Sequence, residues 1–209
     1  MTDPLHPQRM TVEEYFRFEE ESPIRHEYHA GDVFAMSGAT ARHNTLAGSI
    51  FARLFAVADN GPCRVFMSDM RLKVANDRYY YPDVVVICTP MGDLDLVAED
   101  PCVVVEVTSP STARVDRTEK LDAYRGIPTL QAYLVVDHRR RRVQRHWREM
   151  PEGIWQYDEI VGEDETPIPI PCLDVTLTLD AIYRRVSLPA VGEPDAEYDP
   201  ADQDGSAQE

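Results

Sequence analysis

No apolar run in this chain approaches the roughly 20 residues that a membrane-spanning helix requires, which excludes an integral helical membrane protein. The opening stretch, MTDPLHPQRM, lacks the apolar core of a secretory signal, so a cytoplasmic location is expected. Cysteine is scarce. Cys63, Cys88, Cys102 and Cys172 fall in no CxxC or zinc-type spacing, so reduced, mostly buried thiols are expected rather than a disulfide framework. Basic residues are also in short supply, 21 against 37 acids for a formal charge of −16. That balance disfavours a protein that coats nucleic acid nonspecifically, because such binding depends on neutralising phosphates. There is no internal repeat.

The charge is uneven. Residues 188–209 carry seven acids, no base and three prolines, and without that stretch the formal charge falls to −9. Poor in large apolar residues, it reads as a disordered acidic tail. Between His138 and Arg148, in contrast, stand six arginines and no acid. A length of 209 residues with 43% hydrophobic content fits one domain. Its expected bounds are 10–187, between a short tail at 1–9 and the acidic tail.

Local patterns set the expected elements. Thr11-Val-Glu-Glu14 is a capping-box sequence, with Met10 and Tyr15 spaced for a hydrophobic staple, and predicts a helix to about Glu21. His26–Met36 predicts a hairpin turning at Ala30-Gly31-Asp32. A second helix is expected over Arg42–Ala58, with Ala47, Ile50, Phe51, Leu54, Phe55 and Ala58 on one face. Strands are expected over Arg64–Val74, Tyr79–Ile87 and Cys102–Thr108, then a helix over Thr112–Arg125 closed by Gly126-Ile127-Pro128. Ala132–Val136 and Arg141–Trp147 predict a further strand pair. The arginine-rich stretch His138–Arg148 reads as an exposed hairpin whose charge blocks edge-to-edge pairing, or as a phosphate contact. Lone tryptophans such as Trp147 and Trp155 read as core more readily than as stacking surfaces. The order gives an α/β (α+β) domain around one central sheet.

Two carboxylates interrupt otherwise apolar strands: Asp83 in YYYPDVVVI and Glu106 in CVVVEVTSP. An ionised carboxylate among valines is costly unless a cation, a donor or water compensates it. If the strands pair as a hairpin with Ile87 opposite Cys102, Asp83 falls opposite Glu106 on the same face. Side chains so opposed have Cβ atoms about 5 Å apart, and a divalent metal is the simplest way to hold two acids that close. On the next helix Asp116, Lys120 and Tyr124 stand at i, i+4 and i+8, so Lys120 can reach back over the pair or form a surface pair with Asp116. Ser109 and Ser111 read as helix-start residues rather than nucleophiles.

The ordered set Tyr81-Pro82-Asp83, Val105-Glu106-Val107-Thr108-Ser109-Pro110-Ser111-Thr112, Asp116, Lys120-Leu121-Asp122-Ala123-Tyr124 and Tyr133-Leu-Val-Val-Asp137 resembles the PD-(D/E)XK nuclease superfamily. More narrowly, it is similar to a bacterial family of restriction-endonuclease-like proteins. The resemblance implies a restriction-endonuclease-like core, a central mixed sheet flanked by helices. The superfamily lysine usually stands two residues after the acid, where this chain has Thr108; in the narrower family it has moved to the following helix, which assigns the role to Lys120.

The resemblance further implies metal-assisted hydrolysis of DNA phosphodiesters. Asp83, Glu106 and the Val107 backbone carbonyl would hold Mg²⁺ or Mn²⁺, with Lys120 orienting water or stabilising the transition state. Glu27 and His43 match recurring positions of the family, as tentative site residues or as structural ones, beside Asp116 and Tyr124. A homodimer would suit an enzyme that cuts both strands. The alternatives are a catalytically inactive member that binds nucleic acid or a protein partner, and a hydrolase of smaller phosphate esters.

Overall fold

Thr11 starts the first helix, α1 (Val12–Glu21), through the expected reciprocal cap: its hydroxyl accepts from the Glu14 N–H, and the Glu14 carboxylate accepts from the Thr11 N–H at 2.8 Å. Met10 and Tyr15 meet in one aromatic cluster with Tyr28 and Tyr79, as the staple predicts. This computed structural model describes residues 9–36, 38–59, 61–108, 116–150 and 152–189, with backbone alone for 116–118. The tail expected from residue 188 lies outside them beyond Pro189.

The hairpin follows as β1 (His26–His29) and β2 (Asp32–Ala35), with His29 opposite Asp32. Its two connecting residues both have positive φ, 49° at Ala30 and 101° at Gly31, as a two-residue turn joining twisted strands requires. Then comes α2 (Ala41–Ala58), capped by Thr40. Leu46, Ala47, Ile50, Leu54 and Ala58 enter the core, whereas Phe55, placed on that face from spacing, is 51% exposed.

The expected strand 64–74 is two strands in different sheets: β3 (Arg64–Met67) and β4 (Arg71–Ala75), separated by a turn closed from Met70 N–H to Met67 O. The expected strand 79–87 likewise divides into β5 (Arg78–Tyr80) and β6 (Val84–Ile87). Pro82 stands at the break, where it has no N–H to give a ladder. After β7 (Val97–Ala98) and β8 (Pro101–Val107), α3 (Asp116–Arg125) crosses to β9 (Ala132–Val136), which runs parallel to β8. β10 (Arg142–Trp147), β11 (Gln156–Val161), β12 (Ile168–Ile170), a 3-10 turn (Pro171–Leu173), β13 (Val175–Leu177) and α4 (Leu179–Tyr183) complete the order.

The single expected sheet is therefore joined by others. A six-stranded mixed sheet, β11-β10-β9-β8-β6-β3, forms the centre; a five-stranded sheet, β2-β1-β5-β4-β7, stands beside it, and β12-β13 is a small ribbon. Val84, Val85, Val86, Val103, Val104 and Val105 all lie at 0% exposure. Alternate valines meet α2 on one face and α3 on the other, so both faces of these strands are apolar. Burying each such side chain stabilises by about 1.5–3 kcal/mol, which fixes β6 and β8 at the sheet centre.

Two expectations are overturned outside the sheet order. All four cysteines are paired, Cys63–Cys88 and Cys102–Cys172. Spacing rules look for neighbours in sequence, but the β3–β6 register sets Arg64 opposite Ile87 and so brings Cys63 to Cys88 from 25 residues away. The arginine-rich segment is not an exposed edge hairpin either. β10 is paired on both sides, Arg145 is buried against Asp158, and the buried Arg148 donates to the carbonyls of Leu130, Ile127 and Pro128. Arg145 and Arg148 also cover Trp147 and Trp155.

Candidate active site

β6 and β8 pair antiparallel with Val84 opposite Val105 and Val86 opposite Val103; at Ile87 the register slips, and Pro101 takes the place expected of Cys102. Over its central residues the register is the one that sets Asp83, one residue before β6, beside Glu106. The Val107 N–H donates to Asp83 Oδ2 at 2.6 Å, locking the aspartate against β8. Glu106 shares the α3 face with Val104, and Tyr124 of α3 donates its hydroxyl to Glu106 Oε1 at 2.8 Å.

Lys120, one helical turn before Tyr124, is buried with its Nζ 3.3 Å from Glu106 Oε1 and 2.9 Å from Glu27 Oε1. Its ammonium also lies over the Tyr80 ring, 5.3 Å from the centroid. Glu27 comes from β1 of the neighbouring sheet and accepts from the Tyr81 N–H, so the site stands where the two sheets meet.

His43, in the first turn of α2, approaches from the opposite face of the central sheet. Its Nε2 lies 3.0 Å from the Val107 carbonyl oxygen and 3.3 Å from Asp83 Oδ2, while its buried Nδ1 has no partner among the described residues. Glu27, His43, Asp83, Glu106, Lys120 and Tyr124 are thus brought together. Of Asp116 only the backbone, at the start of α3, is described; Ser109 and Ser111 lie outside the described residues.

Electrostatics single out Glu106. Its carboxyl is raised to about 7: burial pushes it up most, Lys120 pulls against that, and Asp83 and Glu27 add to the rise. Burial also works against a charge on His43, but hydrogen bonding and attraction from Asp83, with help from the Val107 carbonyl and Glu106, outweigh it and raise its pKa. The Tyr124 hydroxyl is held well above its ordinary range, first by burial and then by Glu106, so it acts as a donor.

The donor set can be tested against a hard divalent cation. Asp83 Oδ1 and Glu106 Oε2 accept no hydrogen bond from the described residues, and the Val107 carbonyl oxygen keeps a second lone pair beyond His43. Glu27 and Glu106 share the Lys120 ammonium, and Asp83 lies near enough to Glu106 to help raise its pKa. An all-oxygen cluster with surplus negative charge fits Mg²⁺ or Mn²⁺.

Sequence reasoning missed the support beneath Tyr81-Pro82-Asp83. Glu19, 2% exposed, accepts from the Tyr81 hydroxyl at 2.9 Å and the His26 N–H at 3.1 Å, with His26 Nδ1 3.0 Å away. Arg71 donates to the Tyr81 oxygen at 2.8 Å. This buried network anchors the residue two before Asp83. The only signal was an acid on the sheet-facing side of α1, where a solvent-exposed residue is the ordinary reading. Thr108, at the superfamily's lysine position, instead lies 3.4 Å from His138 Nδ1 and donates its N–H to Val136.

Comparison with known proteins bears on the family and the fold. A relative from Synechocystis sp., the uncharacterized protein sll1609, is 33% identical over 159 residues, covering 74% of this chain and 89% of its own. A second from that organism, slr1290, is 30% identical over 181 residues, covering 86% of this chain and 94% of its own. The fold matches the crystal structure of a putative nuclease belonging to DUF820 from Anabaena variabilis, with a TM-score of 0.69 at 16% identity over 84% of this chain and 98% of that one. No helix among the described residues is long and apolar enough to cross a membrane. Residues 12–181 match the family described as "Uma2: Putative restriction endonuclease", and the chain belongs to that family, within the restriction-endonuclease-like PD-(D/E)XK superfamily.

Proposed function

We propose that this chain is a metal-dependent endonuclease that hydrolyses phosphodiester bonds in DNA, with Asp83, Glu106 and the Val107 carbonyl as metal ligands and Lys120 as the catalytic cation. The observation that carries the reading is the contact between Lys120 Nζ and Glu106 at 3.3 Å, because it supplies the lysine that Thr108 withholds from the strand. When bound, Mg²⁺ or Mn²⁺ would supply an acidified water and charge stabilisation on the phosphate.

The chain's own groups have separate tasks. Lys120 presents an ammonium held by Glu27 and Glu106, placed to stabilise charge developing on a phosphate oxygen or to orient water. Tyr124, donating to Glu106 Oε1, fixes which carboxylate oxygen is left to act as ligand. His43 holds Asp83 and the Val107 carbonyl in mutual register. Cutting both strands of a duplex would call for two copies acting together, and a cytoplasmic location suits the reading.

The test is a substrate panel in Mg²⁺ or Mn²⁺: supercoiled plasmid, linear duplex, single-stranded DNA, RNA and a small phosphodiester ester. Cleavage of DNA that stops in chelator supports the proposal. Hydrolysis of the small ester alone would move the assignment to a phosphoesterase, and metal binding without any hydrolysis to a binding protein.

A further inference from the structure

The four cysteines come from four separate segments. Cys63 precedes β3, Cys88 follows β6, Cys102 is the second residue of β8, and Cys172 lies in the 3-10 turn. Arg64 opposite Ile87 makes Cys63 and Cys88 the next pair along adjacent strands. The slip in the β6–β8 register then turns Cys102 onto the α2 face. Consecutive strand residues normally point to opposite faces, yet Cys102 and Val103 both pack in the cluster beneath α2. That irregularity delivers a third sulfur to the place where the first two meet.

The two disulfides form one cluster. The sulfurs of Cys88, Cys102 and Cys172 all lie within 4.8 Å of one another, Cys88 being bonded to Cys63 and Cys102 to Cys172. The fourth sulfur, of Cys63, is 3.5 Å from the Cys172 carbonyl oxygen. No His, Asp or Glu among the described residues joins the group. A tetrahedral zinc thiolate site, with Zn–S bonds of ~2.3 Å, has sulfurs about 3.8 Å apart. Bonded sulfurs stand about 2 Å apart, so reduction must let each pair open by about 1.7 Å, while Cys88 needs to close on Cys102 and Cys172 by at most about 1 Å. Cys63 and Cys102 are buried, whereas Cys88 and Cys172 are partly exposed and give an ion a way in.

We propose that these four cysteines form a redox-gated site for one zinc-class cation, distinct from the carboxylate site. In balance, a dithiol or phosphine reductant delivers two electrons to each disulfide and is itself oxidised. The two disulfides take up four electrons and four protons to give four thiols. One Zn²⁺ then binds as the four thiols release their protons to solvent, forming four Zn–S bonds. The ligand chemistry separates this site from the other: soft thiolates select zinc, and the oxygens of Asp83 and Glu106 select harder ions. The sites stand at opposite ends of β6, about 16 Å apart at ~3.3 Å per residue. In the reduced chain the ion would tie β3, β6, β8 and the 3-10 turn together in place of the two disulfides.

The experiment reduces the full chain with a phosphine, removes the reductant anaerobically, and titrates Co²⁺ as an optical probe, followed by Zn²⁺. Expected are thiolate-to-cobalt charge transfer and tetrahedral d–d bands saturating at one equivalent, then displacement by one equivalent of Zn²⁺ and a higher Tm than the reduced metal-free chain. The oxidised chain should show no such bands. Cys88→Ser and Cys172→Ser, at the more exposed positions, should each weaken cobalt binding at least tenfold, while Asp83→Ala and Glu106→Ala leave these bands in place. The proposal is overturned if the reduced chain, folded by circular dichroism, gives no thiolate bands, or if the bands survive the cysteine variants. It is equally overturned if the reduced chain fails to fold with zinc present.

Discussion

Lys120 Nζ and Glu106 Oε1 lie 3.3 Å apart across the junction of α3 and β8, both side chains largely withdrawn from solvent. Truncating one partner of a buried pair leaves the other uncompensated, at a cost of about 3–5 kcal/mol. Here the uncompensated charge would be shared by Glu27 and Glu106, both bonded to the same ammonium.

Lys120→Met should therefore abolish cleavage while a metal site remains. It should also raise the Glu106 pKa further, because the attraction that opposes burial is gone. Calorimetric Mn²⁺ titration at pH 8, beside a plasmid cleavage assay, checks both halves; retained cleavage would return Lys120 to a structural role.

Glu106 makes a prediction about stability in chelator. Its carboxyl is raised from 4.5 to about 7 in the folded chain, so between those values the unfolded chain releases a proton that the folded chain keeps. Stability from this group is fully present below pH 4.5 and is lost progressively as pH rises through about 7. Glu106→Gln should therefore raise Tm at pH 8 more than at pH 5 while removing activity. Equal Tm changes at both pH values would contradict the burial argument.

His43 carries a proton to higher pH than an ordinary imidazole because Asp83 outweighs the burial that opposes its charge. Asp83→Asn leaves burial as the dominant influence, so the His43 midpoint should fall from above 6.5 to below it. Imidazole proton NMR in chelator reads that shift. In the wild type the contribution of His43 to stability is fully present below pH 6.5 and lost as pH rises through its folded midpoint.

The network under the Pro82–Asp83 step should also be measurable. Tyr81→Phe removes a donor to the buried Glu19 and an acceptor for Arg71. The expected loss is about 1–3 kcal/mol in urea denaturation, with weaker metal affinity because Asp83 is less firmly placed. An unchanged midpoint and unchanged affinity would make the network irrelevant to the site.

Much of this was legible in the sequence where the signal is local or strictly periodic. The Thr11 cap, the Ala30-Gly31 turn and the length of α2 follow from short-range chemistry. Asp83 and Glu106 stood out because a carboxylate among valines needs a partner, and the assumed hairpin register that set them opposite holds from Val84 to Val86 though not at Ile87. What spacing could not show were long-range choices. A turn at 68–70 and Pro82 divide apolar runs between two sheets, and a register slip beside Ile87 regroups the cysteines. Glu19 and Arg71 drew no reading, because the groups that bury and bond them, His26 and Tyr81, lie on other segments. The arginines at 145 and 148 misled for the same reason: their partners, Asp158 and the carbonyls of Ile127, Pro128 and Leu130, lie on other segments.

The most direct test of the catalytic account is cleavage of supercoiled plasmid in Mg²⁺ or Mn²⁺ by the full chain beside Asp83→Ala, Glu106→Ala and Lys120→Ala. The wild type should convert supercoiled plasmid, and all three variants, like the wild type in chelator, should leave it intact. A folded wild type that leaves the plasmid intact, or activity that persists in any of the three, would contradict it.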